Sequence, residues 1–330
     1  MQPAPLQEPS NVPAVPGRPR LAMAPQVFNA RRFDIAFDAW PTIARSVPTS
    51  PPWQPSMTPR RASSPTLNEA ALPPLPEPYS IHPITETFPM PIQPPSPDLV
   101  DRLVYANRIL YDQNIVDGLG HASVRHDTAP GTFLLSCNRA PGMVRRQDIV
   151  CYDYDGNAVS ETTERPYLER FIHGEIYRAR PDVMAVVHSH SQSVIPFAIT
   201  KNALKPVFHM SGFLGEGSAH FEIREAGGNT DMLIRSSYLG EALAKSLGRH
   251  SCVLMRGHGS TVVGTSLEQA VYRAIYAEVN AKLQLAAQGL GEISFLNAEE
   301  AQLSSDMNDG QIPRSWNLWI KRLGEIDLDR

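Results

Sequence analysis

Val183-Met-Ala-Val-Val-His188-Ser-His190 is an apolar run that ends in two histidines separated by one residue. It reads as a rigid, buried strand. Side chains at i and i+2 of a strand share a face, so His188 and His190 can grip one ion together. A second apolar strand, Cys252-Val-Leu-Met255, leads into Arg256-Gly-His258-Gly259. The glycines flanking His258 let the backbone approach that ion and deliver a third imidazole to it. Three neutral nitrogens leave coordination positions open, as a catalytic metal requires and a closed structural site does not. A His-x-His alone is weak, because strand-end histidines are often only hydrogen-bonded; the Gly-His-Gly after a second strand is what gives it weight.

The chain has 330 residues and 42% hydrophobic content, enough for a sizeable core, but 24 of its 31 prolines fall in residues 1–97. Proline removes backbone donors and disfavours helix for its predecessor, so this stretch reads as a disordered, Pro-rich leader. Within it, Phe28, Phe33, Phe37 and Trp40 offer at most a short docking segment. Residues 98–330 make one domain. A net charge of −4 gives no basic footprint for nucleic acid, and no stretch suits a membrane span. Three scattered cysteines, Cys137, Cys151 and Cys252, suit reduced thiols in a cytoplasm better than disulfides.

Apolar residues at helical spacing predict a helix from Pro97 towards Gly118, another over 167–180 stopped by Pro181, and others over 194–199 and 231–247. A last long helix is expected to open on a Thr265…Glu268 capping box. Short strands fall at 133–136, 149–152 and 261–263. Strands and helices interleave without regular β-α-β alternation or a glycine-rich phosphate loop. The expected fold is therefore α/β: a central, mostly antiparallel sheet flanked by helices on both faces.

A metal held by imidazoles needs a carboxylate nearby, and the segment before the histidine strand offers Glu164, Glu169 and Glu175. A carboxylate beside a divalent ion can be a displaceable ligand or a proton shuttle. Spacing does not choose among the three, although Glu169 has the apolar neighbours Phe171, Ile172 and Ile176.

Glu169-Arg-Phe-Ile-His173, Arg180-Pro-Asp182, Ala185-Val-Val-His188-Ser-His190 and Gly257-His258-Gly259, in this order, resemble the class II aldolase/adducin family. Gly120-His-Ala-Ser123-Val-Arg125 is similar to that family's Gly-Asn-x-Ser-x-Arg loop apart from one residue. The resemblance covers about 98–290. It implies a three-layer α/β/α domain, a homotetramer with active sites at subunit interfaces, and His188, His190, His258 and Glu169 as metal ligands. It also implies Glu169 as acid/base, with His173 behind the ligands.

The departures narrow the substrate. The loop asparagine is His121, the family's Thr-Gly element is Asn138-Arg139, and its Ser-Ser pair is Tyr167-Leu168. Phosphate binding needs short donors and exposed amides converging on one anion, and these residues supply bulk instead. At the position of the aldolases' proton-donating tyrosine stands His209. Together with Ser136-Cys-Asn-Arg139-Ala-Pro141, these changes resemble the branch that decarboxylates hydroxylated aromatic dicarboxylates such as dihydroxyphthalate. The resemblance implies a divalent-metal-dependent, non-oxidative decarboxylase with Glu169 or His209 protonating the ring. His121, Ser123, Arg125, Ser136 and Arg139 are the expected substrate-binding residues, the arginines clamping a carboxylate. Three imidazoles and a carboxylate suit Mn2+ or Zn2+, with Fe2+ or Co2+ as alternatives. Rival readings are an aldolase acting on an unphosphorylated hydroxy-keto acid and a non-haem iron oxygenase; a metal-free scaffold would not retain all four ligands.

Overall fold

Seven strands form one sheet in the order β3-β2-β1-β4-β7-β6-β5 in the computed structural model, which describes residues 93–330. They are β1 (His121–Arg125), β2 (Thr132–Ser136), β3 (Ile149–Asp153), β4 (Ala185–Ser189), β5 (Ala219–Phe221), β6 (Cys252–Met255) and β7 (Gly259–Gly264). Every neighbouring pair is antiparallel except β5 with β6. The expectations for the leader, docking segment included, lie outside the described residues, apart from 93–97.

The strands are buried on both faces, and their alternation builds the layers. Ala185 and Val187 of β4, Val262 of β7 and Leu254 of β6 point into one core. On that side lie α1 (Pro97–Asp112), α3 (Ile195–Ala198), α6 (Leu267–Gln288), α7 (Ala298–Asp309) and α8 (Ile312–Leu323). Val186, Val263 and Val253 point into the other core, covered by α2 (Arg170–Ala179), α4 (Ile223–Gly227) and α5 (Ser237–Leu247). The three-layer α/β/α arrangement follows directly. Because His188 alternates with Val187, it falls on the α2–α5 side.

Several boundaries differ from the expected ones, each for a local reason. The first helix stops at Asp112 because Asn114 takes a left-handed conformation, φ 58°. The second begins at Arg170, leaving Glu169 as its N-cap residue. The expected helix over 231–247 begins only at Ser237, capped by the Ser236 hydroxyl, so 231–235 stays irregular. The N-cap of α6 is Ser266, one residue beyond the expected Thr265, and no reciprocal box forms. Ser266 Oγ accepts from the Gln269 amide and Gln269 Oε1 accepts from the Thr265 amide, while Glu268 pairs with Arg102 instead. Helices α7 and α8 were not anticipated, although Asn297 and Glu300 form a reciprocal capping box and Ile312, Trp316 and Trp319 recur at helical spacing.

Helices α2 and α5 cross where Gly240 replaces a side chain: a Cβ there would lie 2.5 Å from the Phe171 carbonyl oxygen. Overpacking against a main-chain atom costs about 1–3 kcal/mol, offset by about 1 kcal/mol of better helix propensity. Gly240→Ala is therefore expected to lower the melting temperature by a few degrees, about 2–4 °C for each kcal/mol lost. Thermal unfolding followed by circular dichroism checks this; an unchanged or raised midpoint would refute the tight crossing.

Candidate metal centre

Four side chains converge at the β4–β7 end of the sheet. His188 is the penultimate residue of β4, His190 follows the strand, and His258 sits in the turn between β6 and β7. Gly257 adopts φ 65°, which lets that turn form, and a Cβ on Gly259 would collide with the Ser189 carbonyl. The flanking glycines thus allow the close approach expected of them. The fourth member is Glu169, whose backbone sits at the N-terminus of α2 while its side chain caps nothing in its own helix.

Ligand atoms of Glu169, His188, His190 and His258 all lie within 4.8 Å of one another. His258 Nε2 is 3.1 Å from His190 Nε2, and Glu169 Oε2 is 3.5 Å from His258 Nε2 and 3.7 Å from His188 Nε2. Nitrogen ligands bound at about 2.0–2.1 Å to one tetrahedral ion sit roughly 3.3 Å apart, so these separations suit a shared cation. His188 Nε2 is buried and, among the described residues, has no hydrogen-bond partner. Such an orphan is costly in an interior unless something fills its lone pair. The residues fit a divalent metal.

The protein prepares these groups as ligands. His188 Nδ1 lies 3.3 Å from Thr261 Oγ1, and that hydroxyl donates to Met255 Sδ at 3.5 Å. With its proton so used, Thr261 accepts from His188 Nδ1–H, leaving Nε2 as the free lone pair. Burial, reinforced by His258, lowers the pKa of His190, and burial drives that of His188 far down, so both imidazoles are neutral. Burial on its own pushes the Glu169 carboxyl up, but hydrogen bonding to His258 and the surrounding imidazoles hold it well below the usual range. A neutral His188 cannot lend a full charge to Glu169. The ionised carboxylate rests instead on the Ile234 amide, which donates to Oε1 at 2.9 Å, and on the positive end of α2. Of the other carboxylates considered, Glu164 is exposed and Glu175 pairs with Arg178.

The expected substrate residues divide. His121 pairs across strands with His188, its ring centroid 5.1 Å from that of His188 and 4.6 Å from that of Tyr167. Tyr167 in turn donates to the Arg139 carbonyl and lies 3.5 Å from Ser136 Oγ. Arg139 Nε is 2.9 Å from Asp148 Oδ2, its guanidinium partly exposed. These four residues border one another.

Ser123, Arg125 and His209 do not join them. Ser123 is fully buried between His173 and Tyr177. Arg125 cannot clamp a substrate: its guanidinium donates to the main-chain carbonyls of Val183, Tyr177 and Arg180 and to the Tyr154 hydroxyl. That is a strut joining β1 to the end of α2. His209 is exposed, with Phe208 as its ring neighbour. Thr261 and the Ile234 amide were missed, since neither a cross-strand partner nor a main-chain donor has a sequence signature. Beside His190 a cleft of about 490 Å3 opens between Tyr111, Asn114, Val116, Asp117 and Leu119.

Residues 101–285 match the Class II Aldolase and Adducin N-terminal domain. The chain belongs to the class II aldolase/adducin family. It is 39% identical over 239 residues to Decarboxylase tropJ of Talaromyces stipitatus, covering 65% of this chain and 90% of that protein. It is 31% identical over 204 residues to the 3,4-dihydroxyphthalate decarboxylase of Arthrobacter keyseri, covering 58% and 79%. Among solved structures, an aldolase II superfamily protein from Pseudomonas syringae aligns with a TM-score of 0.59 at 25% identity, over 71% of this chain and 96% of that one.

Replacing Thr261 by Val keeps the shape but releases His188 Nδ1. Loss of such a supporting hydrogen bond weakens metal affinity roughly 10–100-fold, which titration calorimetry with Mn2+ or Zn2+ would detect. His188→Ala is expected to abolish stoichiometric metal in elemental analysis. One tightly held ion per chain in that variant would sink the ligand assignment.

Proposed function

We propose that this chain is a divalent-metal-dependent, non-oxidative decarboxylase of a hydroxylated aromatic or heteroaromatic mono- or dicarboxylic acid. It is a carbon–carbon lyase, like the decarboxylases and aldolases it resembles. The observation that carries the substrate class is the set formed by His121, Tyr167, Ser136 and Arg139, which replaces short phosphate donors with a ring-lined wall and one guanidinium. Similarity to proteins named decarboxylases, a 3,4-dihydroxyphthalate decarboxylase among them, supports the same reading.

His188, His190, His258 and Glu169 would hold the cation, which supplies Lewis acidity beside a ring oxygen and its neighbouring carboxylate. Glu169, ionised and braced by the Ile234 amide, would serve as a displaceable ligand, giving up its place to the ring oxygen, taking the hydroxyl proton on Oε2 and returning it to the ring carbon as CO2 leaves. His209 is too exposed within its own chain to share that task unless a second subunit brings it in. Arg139, aligned by Asp148, offers its guanidinium to the second carboxylate. Asp117 makes the cleft beside His190 a poor seat for that carboxylate. The flat walls of Tyr167 and His121 favour an aromatic ring.

Mn2+ is our first choice of metal because a chelating phenol and carboxylate add hard oxygen ligands, with Zn2+ next. The same reading carries a homotetramer, as in the family resemblance, and a cytoplasmic enzyme, in keeping with free, buried Cys137, Cys151 and Cys252. Among the described residues no helix is long and apolar enough to cross a membrane.

Metal-loaded protein is expected to release CO2 from a panel of hydroxyphthalates and hydroxypyridine dicarboxylates without O2 uptake, and to stop on chelation. Carbonyl release from hydroxy-keto acids would support the aldolase reading instead, and O2 consumption the oxygenase reading. Arg139→Ala is expected to raise KM for dicarboxylates by about tenfold or more, the order lost with one charge-assisted contact, while leaving bound metal unchanged. An unaltered KM would remove Arg139 from the site.

A further inference from the structure

Behind the cluster runs a buried chain of hydrogen bonds whose inner members, Tyr177, Ser123 and His173, the decarboxylase reading does not use. Tyr177 Oη lies 2.7 Å from Ser123 Oγ, which lies 2.6 Å from His173 Nδ1. His173 Nε2 is 2.6 Å from His121 Nδ1. All four residues are buried, and no carboxylate hydrogen-bonds to any of them among the described residues. Distances alone allow each link to be written in either direction.

The need to satisfy donors selects one direction. A phenol carries a single proton, and among the described residues Ser123 Oγ is the one side-chain partner of the Tyr177 hydroxyl. Were Ser123 to donate to Tyr177, the phenol proton would be stranded in an interior built from Phe133, Ile172, Ile176 and their neighbours. Leaving a buried donor unmade costs more than any single bond in the chain gains. Tyr177 therefore donates to Ser123. The serine proton then goes to His173 Nδ1, which must be a bare lone pair. His173 holds its proton on Nε2 and gives it to His121 Nδ1. A doubly protonated His173 would leave the serine proton without an acceptor, so the ring is neutral.

We infer that the Tyr177–Ser123–His173 chain locks His121 in the Nε2–H tautomer, so that His121 meets the site as a hydrogen-bond donor to a substrate oxyanion. His173 is then a positioning residue that acts through His121. The assignment fits the cluster, which takes in Glu169, His188, His190 and His258 but not His121. It also gives the cross-strand pair opposite polarity: His188 turns a lone pair towards the cation, and His121 turns a proton towards the ligand. The oxyanion role rests on the decarboxylase reading; the tautomer does not.

Long-range proton–nitrogen spectra of Zn2+-loaded protein labelled with 15N-histidine read the tautomer directly, with His121→Gln identifying the resonance. The expected pattern is a protonated Nε2 and a bare Nδ1 for His121. A protonated Nδ1 would overturn the inference, whatever the activity. In His173→Leu the preference is expected to disappear, with kcat/KM falling about tenfold or more and one metal ion retained per chain. His173→Gln, whose amide can donate to His121 Nδ1, is expected to restore both the tautomer and most of the activity. An unshifted His121 spectrum in His173→Leu would also refute the lock. Should His173→Leu fail to fold, the wild-type spectrum decides alone. If the acid panel is inert while Nε2 is protonated, the decarboxylase reading falls and the tautomer lock stands.

Discussion

The site depends on one lone pair. His188 Nε2 is held in the interior and, among the described residues, faces no hydrogen-bond donor, only the other members of the cluster. Nothing in the fold would maintain that arrangement without constraint from behind. The constraint is the register of three strands: His121 of β1, His188 of β4 and Thr261 of β7 stand in one row across the sheet. A slip of one residue would swing His188 into the opposite core. The valines that alternate with it, buried on both faces, exclude such a slip.

Much of this was legible in the chain. The His-x-His run, the Gly-His-Gly turn and the two apolar strands that carry them specify local geometry, and local geometry is what periodicity reports. Glu169 was singled out among three candidates only through its resemblance to a family motif. What decides the matter in space is the irregular 231–235 segment, whose Ile234 amide reaches across to the carboxylate. An amide carries no residue-specific mark, so that contact was invisible. Ser123 and Arg125 show the opposite failure. Both sit in a motif associated with substrate, yet they lie further along β1 than His121, against the α2 layer, where His173 takes the Ser123 proton and main-chain carbonyls take those of Arg125. The C-terminal helices could have been read from their caps and tryptophan spacing.

The residues that depart from the sugar-phosphate pattern are mutually dependent. His121 stacks near Tyr167, Tyr167 bonds the Arg139 carbonyl, and Arg139 is aligned by Asp148, itself held by Arg145. The wall they form is ring-lined and carries the Arg139 guanidinium.

The cluster draws on positions 169, 188, 190 and 258, which only the finished fold assembles. A cation bound there has no comparable home in the unfolded chain, so it weights the equilibrium towards the native state, by about 2.7 kcal/mol at a hundredfold excess over its dissociation constant. Transition-metal scarcity would then not only idle the enzyme but also shift chains towards opened forms exposed to proteolysis.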